Sequence, residues 1–211
     1  LRPSESCNVR RCDSPLGPGI IFSKANGLTE GVEINLTKEC NIRSDGIRVG
    51  NIKKERMQPV PKIFLEAYMQ AYENYMDYLS GRKYEADYGP FNINTRGMAY
   101  TYPLYLLRFH DMITNEIIPI LLHRDDPQLH LYTRILQESK ISPHIFRHWF
   151  TVQLVLSNIT DPYTIMYYRG DSSPTSAITY LQNKSELERK YRRVNDQVFS
   201  YTKWRADTQH E

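Results

Sequence analysis

At Pro59-Val60-Pro61 the chain changes its period. Ahead of these prolines lie short segments carrying β-branched residues: Ile20 to Lys24, Gly31 to Thr37 and Gly46 to Gly50. They are set apart by Ala25-Asn26-Gly27 and Ser44-Asp45-Gly46, sequences that reverse a chain readily. Behind the prolines, Ile63, Phe64, Ala67, Tyr68, Ala71, Tyr75, Met76 and Leu79 recur at helical spacing, and Ser80-Gly81 supplies a stop. The expected fold is therefore mainly α with a small antiparallel β-sheet, an α+β class, the sheet drawn from residues between 20 and 60. The tyrosines of this helix read as packing groups with polar tips.

The rest of the chain agrees with a helical majority. Two prolines and two glycines between Asp13 and Gly19 break any helix that begins at Arg2. Residues 81–97 read as a polar connection, Thr101 to Leu122 as a helix interrupted near Pro119, Asp125 to Glu138 as another, and Lys184 to Phe199 as a charged helix ahead of a polar tail. A chain of 211 residues can bury a full core as one domain. Its net charge of +3 permits a nucleic-acid partner without requiring one. Cys7, Cys12 and Cys40 lack CxxC spacing, and His110, His123 and His130 lack a ligand pattern, so neither a disulfide framework nor a metal site is expected. No apolar run of membrane-spanning length is present, and a reducing cytoplasm fits the cysteine usage.

The chemistry concentrates between Ser142 and Leu181. Ser142-Pro143 is a cap-like opening for a helix, and His144 and Arg147, three residues apart, fall on one helical face. A second Ser-Pro pair, Ser173-Pro174, opens the segment that carries Tyr180. Arg offers a planar fork for phosphate oxygens, His exchanges a proton near neutral pH, and Tyr is a nucleophile able to form a phosphoester. Taken singly each has an ordinary explanation: H-x-x-R pairs cap helices, and Tyr180 is one of 16 tyrosines. Ordered together they point to phosphoryl transfer on a nucleic acid.

This order resembles the catalytic domain of the tyrosine recombinase, or phage integrase, family. His144, Arg147, His148, Gly170, Ser172 and Tyr180 fall on the family's positions, while Asp171 stands where the family usually has histidine or tryptophan. Leu1-Arg2-Pro3-Ser4-Glu5 matches the motif that holds the family's first arginine, so the resemblance implies a fragment cut inside that motif, with the N-terminal DNA-clamping domain absent. The family's hairpin lysine falls in Asn51-Ile52-Lys53-Lys54. Counting back from the prolines puts Asn51 at that position, so Lys53 serves through a shifted turn, or Lys54 does, or both are solvated lysines touching only DNA backbone.

The resemblance implies a site-specific recombinase that cuts and rejoins double-stranded DNA attachment sites through a 3′-phosphotyrosyl link, without metal or nucleotide. Arg2 and Arg147 hold one phosphate, Lys53 protonates the leaving hydroxyl, His144 serves Tyr180, and Tyr180 attacks. Asp171, His148 and Lys54 are supporting candidates. Asp171 as an ionised carboxylate repels phosphate, so it is either protonated, or orients a neighbour, or leaves His148 or Ser172 as the donor. The family also implies a homotetramer coupled through the segment 184–211, with Val194, Val198, Phe199 and Trp204 as its apolar side, in a bacterial cytoplasm. Packing of that helix on its own domain is the other possibility. Two functional alternatives stand beside this reading: DNA relaxation of the type IB topoisomerase kind, and a catalytically impaired DNA-binding relative. The breaks at Ser157–Thr160 and Arg169–Ser173 further suggest that the Tyr180 segment can withdraw its hydroxyl from the arginines in the absence of DNA.

Overall fold

Asn26 and Gly27 both take positive φ, 52° and 81°. That is the backbone of a two-residue turn whose twist matches the strands on either side, and it joins β1 (Ile20–Ala25) to β2 (Leu28–Leu36) as an antiparallel hairpin. A register irregularity at Ser23/Lys24 lies opposite Gly31. The structure, a computed structural model, describes residues 1–38, 43, 45–82, 88–138 and 141–182.

The third strand is not where the β-branched residues suggested. β3 is Arg56–Pro59, paired antiparallel with the end of β2 from Glu33↔Pro59 to Leu36↔Arg56, and the sheet order is β1-β2-β3. Residues 46–50 form no strand because their backbone is engaged elsewhere. Gly46 turns the chain at φ 79°, the Ile47 amide donates to the Asp45 carboxylate at 3.1 Å, and the Val49 carbonyl accepts from the Tyr102 amide at 2.7 Å. Ser44 of the expected turn and Cys40 lie outside the described residues.

Val9, Ile20, Val32, Leu36 and Ile52 form the buried centre against the sheet. A 3₁₀ turn, Lys62–Phe64, leads into α2 (Leu65–Leu79), which covers this centre with Leu65, Tyr68, Met69 and Tyr72. The stripe expected from sequence is rotated: Ile63, Ala67 and Ala71 are exposed, and the large tyrosine rings take the inner face. Larger rings remove more apolar area from water than alanine does. Tyr72 stacks on Phe91 with ring centres 5.8 Å apart, and the Tyr75 hydroxyl donates to the Phe91 carbonyl at 3.1 Å. Residues 88–97 are therefore no polar connection. Tyr88 and Pro90 are buried, and Pro90 bridges Arg10. A second buried group, Cys7, Val49, Tyr88 and Ala99, holds Tyr102 and Tyr105.

α3 (Tyr102–Met112) runs on into a π-helical turn, Ile113–Ile117, and then α4 (Ile118–Leu122). The interruption expected at Pro119 thus takes the form of a widened turn: proline has no N–H to give, and Ile118 instead donates to the Ile113 carbonyl. Asp126 caps α5 (Pro127–Glu138), its carboxylate accepting from the Gln128 amide at 2.8 Å. α6 is Ile145–Leu156, so Pro143 and His144 lie in a turn ahead of it, closed by Ile145 and Arg147 amides donating to Ser142 and His144 carbonyls.

The chain divides into two compact units, Leu1–Arg147 and His148–Glu211. In the second, α6 ends with Asn158 in the left-handed region at φ 63°. Asp161 caps α7 (Pro162–Arg169), its carboxylate accepting from Thr164 at 2.7 Å, and Gly170 at φ 65° ends that helix. α8 is Thr175–Gln182. Among the described residues no helix is long and apolar enough to cross a membrane, and no three His, Cys, Asp or Glu side chains group as metal ligands. The expected helix and interface at 184–211 lie outside the described residues.

Candidate active site

In the first unit the centre of the site is a carboxylate. Glu5, fully shut off from water, lies in the four-residue α1 (Pro3–Ser6) and takes the Arg2 amide at 2.8 Å and the Arg2 guanidinium at 3.0 Å. From β3, 51 residues along the chain, Arg56 places two further N–H groups on it at 2.8 and 3.2 Å. Burial alone would raise the Glu5 carboxyl. The hydrogen bonds from Arg56 and Arg2, with the Arg56 charge, outweigh burial and hold it at about 2.

Arg147, only 5 % exposed, belongs to the same neighbourhood. Arg147, Arg56 and Arg2, with Glu5 opposing them, all act electrostatically on one point, the buried Leu1 nitrogen. Three guanidinium groups, those of Arg2, Arg56 and Arg147, thus act around Glu5 and the Leu1 nitrogen. Arg2 and Arg147, 145 positions apart in sequence, thus both lie within electrostatic reach of the Leu1 nitrogen.

Lys53 and Lys54 are exposed on the bend between buried Ile52 and β3. The bend is tied to the arginine cluster, because Arg56 Nη1 donates to the Lys54 carbonyl at 3.0 Å and the Ser4 hydroxyl to the Asn51 carbonyl at 3.0 Å. Both lysines therefore keep free reach from an anchored backbone. His144 is exposed in its turn.

The second unit builds its own constellation around Tyr180, half-buried on α8. The Tyr180 hydroxyl and His148 Nδ1 are hydrogen-bonded. An imidazole in contact with the phenol through one ring nitrogen can take its proton when the other nitrogen carries the ring hydrogen. The sequence assigned this task to His144; within this unit His148, from α6, meets the hydroxyl.

Arg169 was not singled out from the sequence. It ends α7, is 5 % exposed, and its Cζ lies 5.6 Å from the centre of the Tyr180 ring. Its Nε donates to Asp171 at 2.6 Å and Nη1 donates to Thr151, one turn beyond His148 on α6. Of the three roles left open for Asp171, orienting a neighbour is the one with a partner on view. Glu5 and Arg56 were likewise passed over, although Glu5 sits in the quoted Arg-Pro-Ser-Glu and Arg56 closes the basic run after Asn51. Their signal is visible only as pattern, since nothing in a linear chain says that a strand arginine reaches a helix 51 positions earlier.

No family model matches this sequence, and comparison with curated proteins and with solved structures returns no match.

Proposed function

We propose that this chain is the catalytic domain of a tyrosine site-specific recombinase, acting on double-stranded DNA by strand transfer. The observation that carries the proposal is the hydrogen bond between the Tyr180 hydroxyl and His148, beside a buried, ion-paired Arg169. Support comes also from Arg2 and Arg147 both lying within electrostatic reach of the Leu1 nitrogen.

In this reading the Tyr180 oxygen attacks a DNA phosphorus while its proton passes to His148. Arg2 and Arg147 hold the non-bridging oxygens and stabilise the added charge of the pentacoordinate state. The bond to the 5′ oxygen breaks, Lys53 or Lys54 returns a proton to that oxygen, and a 3′-phosphotyrosyl ester remains. The 5′-hydroxyl of a partner strand attacks the ester, which releases Tyr180 and conserves the phosphoester energy. His144 stands at the lip of the turn as a further proton carrier, and Asp171 acts through Arg169. The family's homotetramer on attachment sites and its bacterial cytoplasm belong to this proposal as well.

The test is covalent capture. The chain is incubated with a pool of nicked duplexes of random sequence, in which the short cleaved product diffuses away and traps the ester, and adducts are read on a denaturing gel and sequenced. A slow-migrating band from the wild type and none from Tyr180→Phe is expected. A band that survives the substitution, or none from either protein while the pool binds, overturns the assignment.

A further inference from the structure

The first unit also carries a cavity of about 470 Å³ that strand transfer does not use. Its wall includes four arginines, Arg43, Arg82, Arg96 and Arg108. Each arrives from a different element. Arg96 stands exposed at the tip of a tight turn that Asn94 closes: the Asn94 amide donates to the Met98 carbonyl at 2.8 Å, and the Asn94 side chain accepts from the Arg96 and Met98 amides at 2.9 and 3.2 Å. Arg82 follows α2 and lies over the Tyr78 ring, Cζ 4.0 Å from its centre. Arg108 comes from α3, and Arg43 from the segment after β2.

Among the described residues the charges do not balance. Arg43 is clasped by Asp45, and Arg108 reaches Asp111 at 3.4 Å with both side chains open to water, a weak pairing. Among the described residues neither Arg82 nor Arg96 has a carboxylate partner. Like charges gathered around one concavity repel unless an anion joins them. Beside the polar Asn94 and Thr95, the remaining wall offers the apolar and aromatic Tyr78, Ile93, Met98, Tyr100 and Leu104, and burial raises the Tyr100 phenol. A bare phosphate leaves this wall uncovered, and the volume lies in the range of small-molecule sites, roughly 300–1,000 Å³.

We propose that this cavity binds a nucleoside phosphate, with Arg82, Arg96 and Arg108 on the phosphate and the base against Tyr100, Met98 and Leu104. The nucleotide is either free in solution or one unit of a DNA strand. The inference stands independently of strand transfer, because none of these residues belongs to the constellation of Arg2, Arg147 or Tyr180.

Calorimetric titration of the purified chain decides it, with four probes: dAMP, deoxyadenosine, inorganic phosphate, and a short single strand without terminal phosphates. dAMP is expected to bind at least about tenfold more tightly than deoxyadenosine or phosphate alone. The double variant Arg96→Ala/Arg108→Ala is expected to weaken dAMP by about tenfold or more, while Tyr180→Phe leaves it unchanged. If the strand binds more tightly than dAMP and the double variant weakens both, the nucleotide belongs to DNA; the reverse order assigns a free nucleotide. Should the double variant lose its native circular dichroism, Arg96→Glu alone, at the exposed tip, takes its place. Equal affinities for dAMP and deoxyadenosine, no detectable binding, or wild-type affinity in a folded variant overturn the proposal.

Discussion

Asp171 accepts a hydrogen bond from Arg169 at 2.6 Å, and both side chains are largely withdrawn from water. The residue that stands where the resemblance expects histidine or tryptophan is thus part of an ion pair. Its backbone is held too, the Asp171 amide donating to the Met166 carbonyl at 3.1 Å as α7 closes on Gly170.

Removing one partner of this pair leaves the other charge poorly solvated. Asp171→Ala is expected to destabilise the protein by about 2–4 kcal/mol, read as a lowered urea midpoint. A variant within about 0.5 kcal/mol of wild type would show that Arg169 finds another acceptor at no cost.

Glu5 makes a pH-dependent contribution whose sign is fixed by its carboxyl being depressed from 4.5 to about 2 in the folded chain. The stabilisation is fully present above about pH 4.5 and is lost as pH falls towards 2. Urea denaturation of wild type and Glu5→Gln at a series of acid pH values should show the gap between them narrowing over that window. A gap constant with pH would contradict the assignment.

Gly50 lies against α1 beside the arginine cluster. A Cβ there would meet the Ser4 carbonyl oxygen well inside van der Waals contact and the Asn8 amide nitrogen at 2.9 Å. Gly50→Ala is therefore expected to cost about 1–3 kcal/mol through displaced backbone, checked by thermal denaturation. Gly27→Ala offers a contrast: nothing lies within 4 Å, but φ is 81°, so a cost of about 1 kcal/mol from strain alone is expected.

His148→Ala separates proton transfer from binding. The covalent adduct should form about a hundredfold more slowly, whereas affinity for the DNA pool stays close to wild type. An unchanged rate would return the task to His144.

What the sequence determined by itself was local. Ala25-Asn26-Gly27 announced a hairpin, and the breaks at Ser157–Thr160 and Arg169–Ser173 the ends of a helix, because turn chemistry acts over a few bonds. The sequence also suggested Arg2, Arg147 and Tyr180 as an ordered set of phosphoryl-transfer residue types, and that set belongs to the proposal. The strand at Arg56–Pro59 was not legible, since β-branched content favoured residues 46–50, whose backbone is bound to Asp45 and Tyr102 instead. Only the tertiary structure decided that Arg56 shares Glu5 with Arg2, that His148 meets Tyr180, and that Asp171 holds Arg169. A side chain's partner across dozens of residues depends on how sheet and helices pack, and neither spacing nor propensity along the chain carries that distance.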